Sequence, residues 1–165
     1  MIILLYLHGS LYAIMFIKNK IQILAAPENI WDFITDPAIM MSWNPRIKAV
    51  VPVTLGKLRA NSQYRIRYEL GSRENNYFAE IMEYEECSRI VLHFEGGSLP
   101  KKGYIQEIYE LTPNSKGTLL MQSILVEQAG CGIPAQLVIR LGNLIGKSSG
   151  KKYLSQLKHL AEARG

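Results

Sequence analysis

Glu107 is the residue of this sequence best placed to do chemistry. Successive side chains of a strand alternate between its faces, so if Leu111 points inward, Tyr109, Glu107 and Ile105 do too. Leu120, Gln122 and Ile124 match them on the following stretch, and Gln122 then stands beside Glu107 in an otherwise apolar setting. A desolvated carboxylate has a raised pKa and can act as general acid or base. A Glu–Gln pair can equally orient a ligand hydroxyl or carbonyl. A one-residue change of register turns Glu107 to the charged face instead and leaves both roles empty.

The other candidates are aromatic. Tyr64, Tyr68, Tyr77 and Tyr109 fall on inward positions of strand-like stretches. They either pack a core with their hydroxyls satisfied or line a pocket. His93 alternates outward, and His8 and His159 read as surface residues. No HExxH, Ser-His-Asp, Cys-His, P-loop or GxGxxG pattern occurs, and three scattered histidines give no metal-ligand spacing. We expect no metal and no cofactor.

Elements must hold these residues. The 165 residues suit a single domain with a real core. The net charge of +5 is spread along the chain without a basic run, which argues against nucleic acid as a partner. Cys87 and Cys131 stand far apart, so neither a disulfide framework nor a zinc site is indicated, and the expected setting is reducing and cytoplasmic. The apolar start "MIILLYLHGSLYAIMFIKNK" has its first charge, Lys18, after the apolar run, the wrong order for a signal peptide. His8-Gly9-Ser10 either turns a hairpin over residues 4–14, or translation starts at Met15; a membrane anchor is the third reading. We therefore set residues 1–12 apart as an extension and take 13–165 as one domain.

Residues 12–25 read as a strand. "APENIWDFITD" and "DPAIMMSW" read as two short helices opened by Pro27 and Pro37, the second capped by Asp36 and ended by Trp43-Asn44-Pro45. Six strands follow, near 46–54, 62–71, 75–85, 88–96, 103–112 and 117–127. Tyr64, Ile66, Tyr68 and Leu70 share an apolar face continued by Tyr77, Ala79 and Ile81 and then by Ile90, Leu92 and Phe94; Arg65, Arg67, Val91, His93 and Glu95 take the other. After "EQAGCGIP" the pattern is helical to the end. The fold class is α+β.

In "ILAAPENIWDFITDPAIMMSWNPRI" the signals Ala26-Pro27, Ile30-Trp31, Asp36-Pro37 and Trp43-Asn44-Pro45 fall in order. With Gly117-Thr118 and the closing "YLSQLKHLAEA", the stretch Phe16 to Ala163 resembles START-like proteins, the SRPBCC superfamily. The resemblance implies a helix-grip fold: a seven-stranded antiparallel sheet curled around one long C-terminal helix, with two short helices between strands 1 and 2 and a cavity between sheet and helix. Relatives include polyketide cyclases, coenzyme-Q-binding proteins and lipid-transfer domains. No catalytic motif carries over.

Gly142, Gly146 and Gly150 recur every four residues in the last helix, and each costs about 1 kcal/mol relative to alanine. On a helical wheel they extend the stripe of Tyr153, Leu154, Leu157, Leu160 and Ala161. They either roof a pocket, or mark a kink at "GKSSG", or let helix and sheet pack tightly. Leu137, Leu141, Leu144 and Ile145 lie nearly opposite. They pack beneath the short helices, or form a patch suited to a homodimer or to touching a membrane without spanning it. The pocket reading takes Trp43, Tyr64, Tyr68, Tyr77, Ile81 and Leu92 as ligand contacts. Tyr109, Gln122 and the three glycines complete them. The ligand is then a hydrophobic small molecule: a lipid, a quinone or a polyketide-like compound. The alternative is a cyclase/dehydrase-type enzyme in which Glu107 transfers the proton. "GGSLPKKG" (96–103) is either a gate at the pocket mouth or a solvated loop.

Overall fold

The alternating stretches form strands in the computed structural model, which describes residues 2–7, 10–70, 73–128 and 147–164, with side chains from 15 onward except 70, 128 and 147–149. Strands β1 (Ile2–Leu7) and β2 (Ser10–Ile23) precede helices α1 (Pro27–Thr35) and α2 (Pro37–Trp43). Then come β3 (Ile47–Pro52), β4 (Gln63–Leu70), β5 (Arg73–Glu85), β6 (Arg89–Gly96), β7 (Tyr104–Asn114) and β8 (Gly117–Gln128). The last described helix is α3 (Lys147–Arg164).

The sheet order is β1-β2-β8-β7-β6-β5-β4-β3, all antiparallel. Strands β2 to β8 make the expected seven. An eighth, β1, pairs outside β2 with Leu7 opposite Ser10. Short turns pair β3 through β8 in succession. The long excursion is the return of β8 to β2, where Ile23 meets Thr118. Bulges between Ile47 and Ala49 and between Ile81 and Glu83 break the ladder and bend their strands. Val91, expected outside, lies opposite Glu83 at the second bulge and is buried.

Local chemistry starts both short helices. Pro27 presets the first turn of α1, with Glu28 beside it. Asp36 caps α2: its carboxylate accepts from the N–H of Ala38 at 2.7 Å and of Ile39 at 3.4 Å. Each helix drives an apolar face inward, Ile30, Trp31, Phe33 and Ile34 from α1, Met40 and Trp43 from α2.

Leu154, Leu157 and Ala161 of α3 are buried in the main core, with Tyr153 and Leu160 flanking them. The far end of α3 is tied down by polar contacts. Lys158 Nζ donates to the Gln22 carbonyl at 2.8 Å, the Leu24 N–H donates to Glu162 at 2.7 Å, and Arg164 meets Asp32 at 3.2 Å.

Candidate functional site

The concave face of the sheet is not completely filled. Between it and α2 lies an apolar cavity of about 50 Å³. Trp43, Tyr68, Tyr77 and Tyr109 line it, with Glu107 as its carboxylate. Met40, Ile66, Phe94, Ile105 and Ile124 supply most of the remaining wall. An adjoining lobe of about 30 Å³ shares Trp43, Tyr68 and Glu107, and adds Arg46, Gln122, Gly150 and Tyr153. Tyr64, Ile81 and Leu92 do not reach either space. They border a separate void of about 10 Å³ deeper in the core. Met40 and Ile66 touch both this void and the main cavity, so they form the partition.

Each wall residue is fixed by its own partners. Trp43 donates its indole N–H to the Phe33 carbonyl at 2.5 Å, which ties α2 to α1. The Asn44 amide donates to Tyr68 Oη at 3.1 Å. Tyr77 Oη lies 3.3 Å from Ser98 Oγ in the connection after β6. Arg46 lies over the Tyr153 ring, 5.2 Å from its centroid.

A polar row crosses three strands. Asn19 on β2, Gln122 on β8 and Tyr109 on β7 are directly opposite one another in the ladder. Asn19 Nδ2 donates to Gln122 Oε1 at 3.3 Å, Gln122 Nε2 donates to Tyr109 Oη at 3.0 Å, and Tyr109 Oη donates to Glu107 Oε2 at 2.9 Å. Asn19 and Tyr109 are 3% and 1% exposed. In such a setting each bond is stronger than in water, and each missing bond costs more. Asn19 Oδ1 is buried without a hydrogen-bond partner among the described residues. Gly150 covers this asparagine: a Cβ there would lie 2.6 Å from Asn19 Nδ2. So Gly150 both borders the smaller lobe and permits close helix–strand approach. Gly142, Gly146, Cys131 and the Leu137–Ile145 group lie outside the described residues.

The enclosed setting shifts titrations. Burial raises the pKa of Glu107, and the hydrogen bond from Tyr109 only partly opposes this. Burial also pushes the Tyr109 hydroxyl well above its ordinary value, with the Glu107 carboxylate adding to the effect. Tyr68 is raised by burial and then by the nearby Glu107 charge, against the lowering effects of Asn44 and Arg46. Burial, with smaller effects from Tyr84 and Asp36, brings Tyr64 to about 12.

The Glu107 shift predicts a pH dependence. The folded protein holds this proton above the ordinary carboxylate range, whereas the unfolded chain releases it near the ordinary value of 4.5. The native state therefore binds more protons between the two values, and its stability falls as pH rises through that window. Melting temperatures across it should fall more steeply for the natural protein than for Glu107→Gln. Parallel curves would show that Glu107 ionises as if exposed.

Asn19, Met40 and Asn44 are site residues that alternation alone passes over. Asn19 had a readable signal, since it interrupts Ile17, Ile21 and Ile23 on one face of β2. Asn44 had none beyond its place at a helix end. His93 sits away from the cavity, its ring 4.9 Å from that of Tyr104. Among the described residues, no cluster of His, Cys, Asp and Glu is arranged to hold a metal, and no helix is long and apolar enough to cross a membrane.

A sheet curled over a C-terminal helix, with a cavity on its concave face whose smaller lobe reaches that helix, defines a helix-grip protein. Residues 17–162 match the family described as "Polyketide cyclase / dehydrase and lipid transport", and the chain belongs to that family. Solved structures share the fold at low identity. The ZhuI aromatase/cyclase from Streptomyces sp. R1128 has a TM-score of 0.77 at 11% identity, covering 92% of this chain and 95% of its own. TTHA0849 from Thermus thermophilus has a TM-score of 0.71 at 14% identity, covering 92% and 99%. Ara h 8.0201 has a TM-score of 0.67 at 10% identity, covering 91% and 99%. No curated protein sequence matches the chain.

Proposed function

We propose that this protein binds a hydrophobic small molecule in the cavity on the concave face of the sheet, whose smaller lobe reaches α3. The observation that carries the reading is the cavity itself, an apolar space with one polar wall formed by Glu107, Tyr109 and Gln122. Apolar burial would supply most of the affinity, and the polar wall would set orientation. The family description, which joins cyclase chemistry and lipid transport, agrees with this. The two lobes are small beside ligand pockets of about 300–1,000 Å³. A lipid, quinone or polyketide-like ligand would therefore have to displace wall side chains as it enters.

A second reading is an enzyme of the cyclase/dehydrase type. It is favoured by one feature: a carboxyl whose proton affinity is raised by burial and which is hydrogen-bonded to a tyrosine inside the cavity. Trp43, Tyr68, Tyr77 and Tyr109 would form the walls in either case.

Native mass spectrometry of freshly purified protein, followed by solvent extraction, tests the binding reading. The expected result is a bound species of apolar character. A clean mass that stays unchanged after incubation with quinones, aromatic polyketides and lipids would overturn it.

A further inference from the structure

The hydrogen-bond row engages one carboxyl oxygen of Glu107 and leaves the other open among the described residues. Asn19 Nδ2 occupies Gln122 Oε1, so Gln122 presents its N–H to Tyr109. A tyrosine hydroxyl has one hydrogen. With Gln122 donating to the Tyr109 oxygen, that hydrogen points at Glu107 Oε2, 2.9 Å away. Oε2 is thus an acceptor, and a proton on this carboxyl resides on Oε1. Oε1 has no hydrogen-bond partner among the described residues, and Glu107 borders both lobes of the cavity.

The polar neighbours across the space are already engaged. Tyr68 and Asn44 bond each other, and Arg46, the cation of the smaller lobe, lies over the Tyr153 ring. Desolvation in this enclosed site shifts the Glu107 carboxyl toward its neutral form. A neutral carboxyl is a hydrogen-bond donor, and a donor selects an acceptor.

We propose that Glu107 is the specificity-determining donor of this site, and that the ligand is a neutral apolar molecule whose carbonyl oxygen accepts a hydrogen bond from Glu107 Oε1. This deepens the binding reading and rests on it. The Asn19–Gln122–Tyr109 row has a positioning role: it holds the carboxyl in one rotamer and keeps the proton on Oε1.

Three probes with one skeleton test it: indane, indan-1-one and 1-aminoindane, titrated by calorimetry into the natural protein at a pH near neutrality. The ketone should bind about 2- to 10-fold more tightly than indane, the range of one neutral hydrogen bond. Glu107→Gln keeps an N–H donor and should keep the preference. Glu107→Leu should abolish it while still binding indane, which also shows that the variant is folded. The infrared carbonyl band of bound indan-1-one should move to lower frequency in the natural protein and in Glu107→Gln, but not in Glu107→Leu. Equal affinity for ketone and hydrocarbon, with indane bound, overturns the assignment of the donor and spares the binding reading. Tightest binding of the amine overturns it in favour of an ionised Glu107. No binding of any probe overturns both.

Discussion

Replacing Trp43 with alanine is expected to remove about 3–5 kcal/mol of unfolding free energy, the range for loss of a large buried aromatic. Trp43 is 1% exposed and belongs to the main core. Its loss enlarges an existing cavity, because the residue already forms part of that wall. It also leaves the Phe33 carbonyl without its indole donor. Against a typical total of about 5–15 kcal/mol, this is enough to leave the variant marginal. Trp43→Phe keeps a ring and loses only the donor and some area, so it should cost less, about 1–3 kcal/mol. Urea unfolding followed by circular dichroism measures both. A loss below about 1 kcal/mol for the alanine variant would mean that α2 collapses freely into the space, contrary to the packing described.

Gly117→Ala is the second large effect. Gly117 opens β8 with φ of +104°, a region that L side chains avoid. A Cβ there would stand 2.3 Å from the Ile23 carbonyl oxygen and 2.9 Å from the Ala25 nitrogen. Both are backbone atoms of the chain leaving β2, so relief requires the β2–β8 ladder to open where Ile23 pairs with Thr118. Backbone strain and overpacking together should cost about 2–5 kcal/mol. Gly56 separates the two contributions. It has a similar φ of +100°, yet nothing lies within 4 Å of its Cβ position. Gly56→Ala should carry the backbone cost alone, about 1–2 kcal/mol. Equal losses in the two variants would show that the contact at Gly117 relaxes without cost.

The sequence made the elements legible where the two faces of a strand differ sharply. Tyr64, Ile66 and Tyr68 against Arg65 and Arg67 leave no ambiguity about β4. β7 is different. Glu107 lies inward while Ile108 lies outward, so both faces mix polar and apolar residues and the alternation barely discriminates between registers. Packing of Tyr109 against Gln122 and of Leu111 against Leu120 decides it. Alternation also gives the face of a residue but not its place along the sheet. Tyr64, Ile81 and Leu92 share a face with Tyr68 and Tyr77, yet Met40 and Ile66 wall them off. That partition depends on where α2 comes to rest, a long-range outcome that no local pattern carries. The same holds for Gly150, whose partner Asn19 is remote in sequence.

The pairing of β2 with β8 has a consequence during synthesis on the ribosome. Asn19 and its partner Gln122 are 103 residues apart. At about 5–20 residues per second, β2 is synthesised about 5–20 s before β8. Throughout that interval Met15, Ile17 and Ile23, buried in the finished protein, lack the strand and the helix that will cover them. The meander from β3 to β8 can form in order as it emerges, but the concave wall closes only when α3 arrives. The nascent chain thus carries an apolar strand with its β8 edge open for most of its translation, and this is the stage at which chaperones would have most to hold.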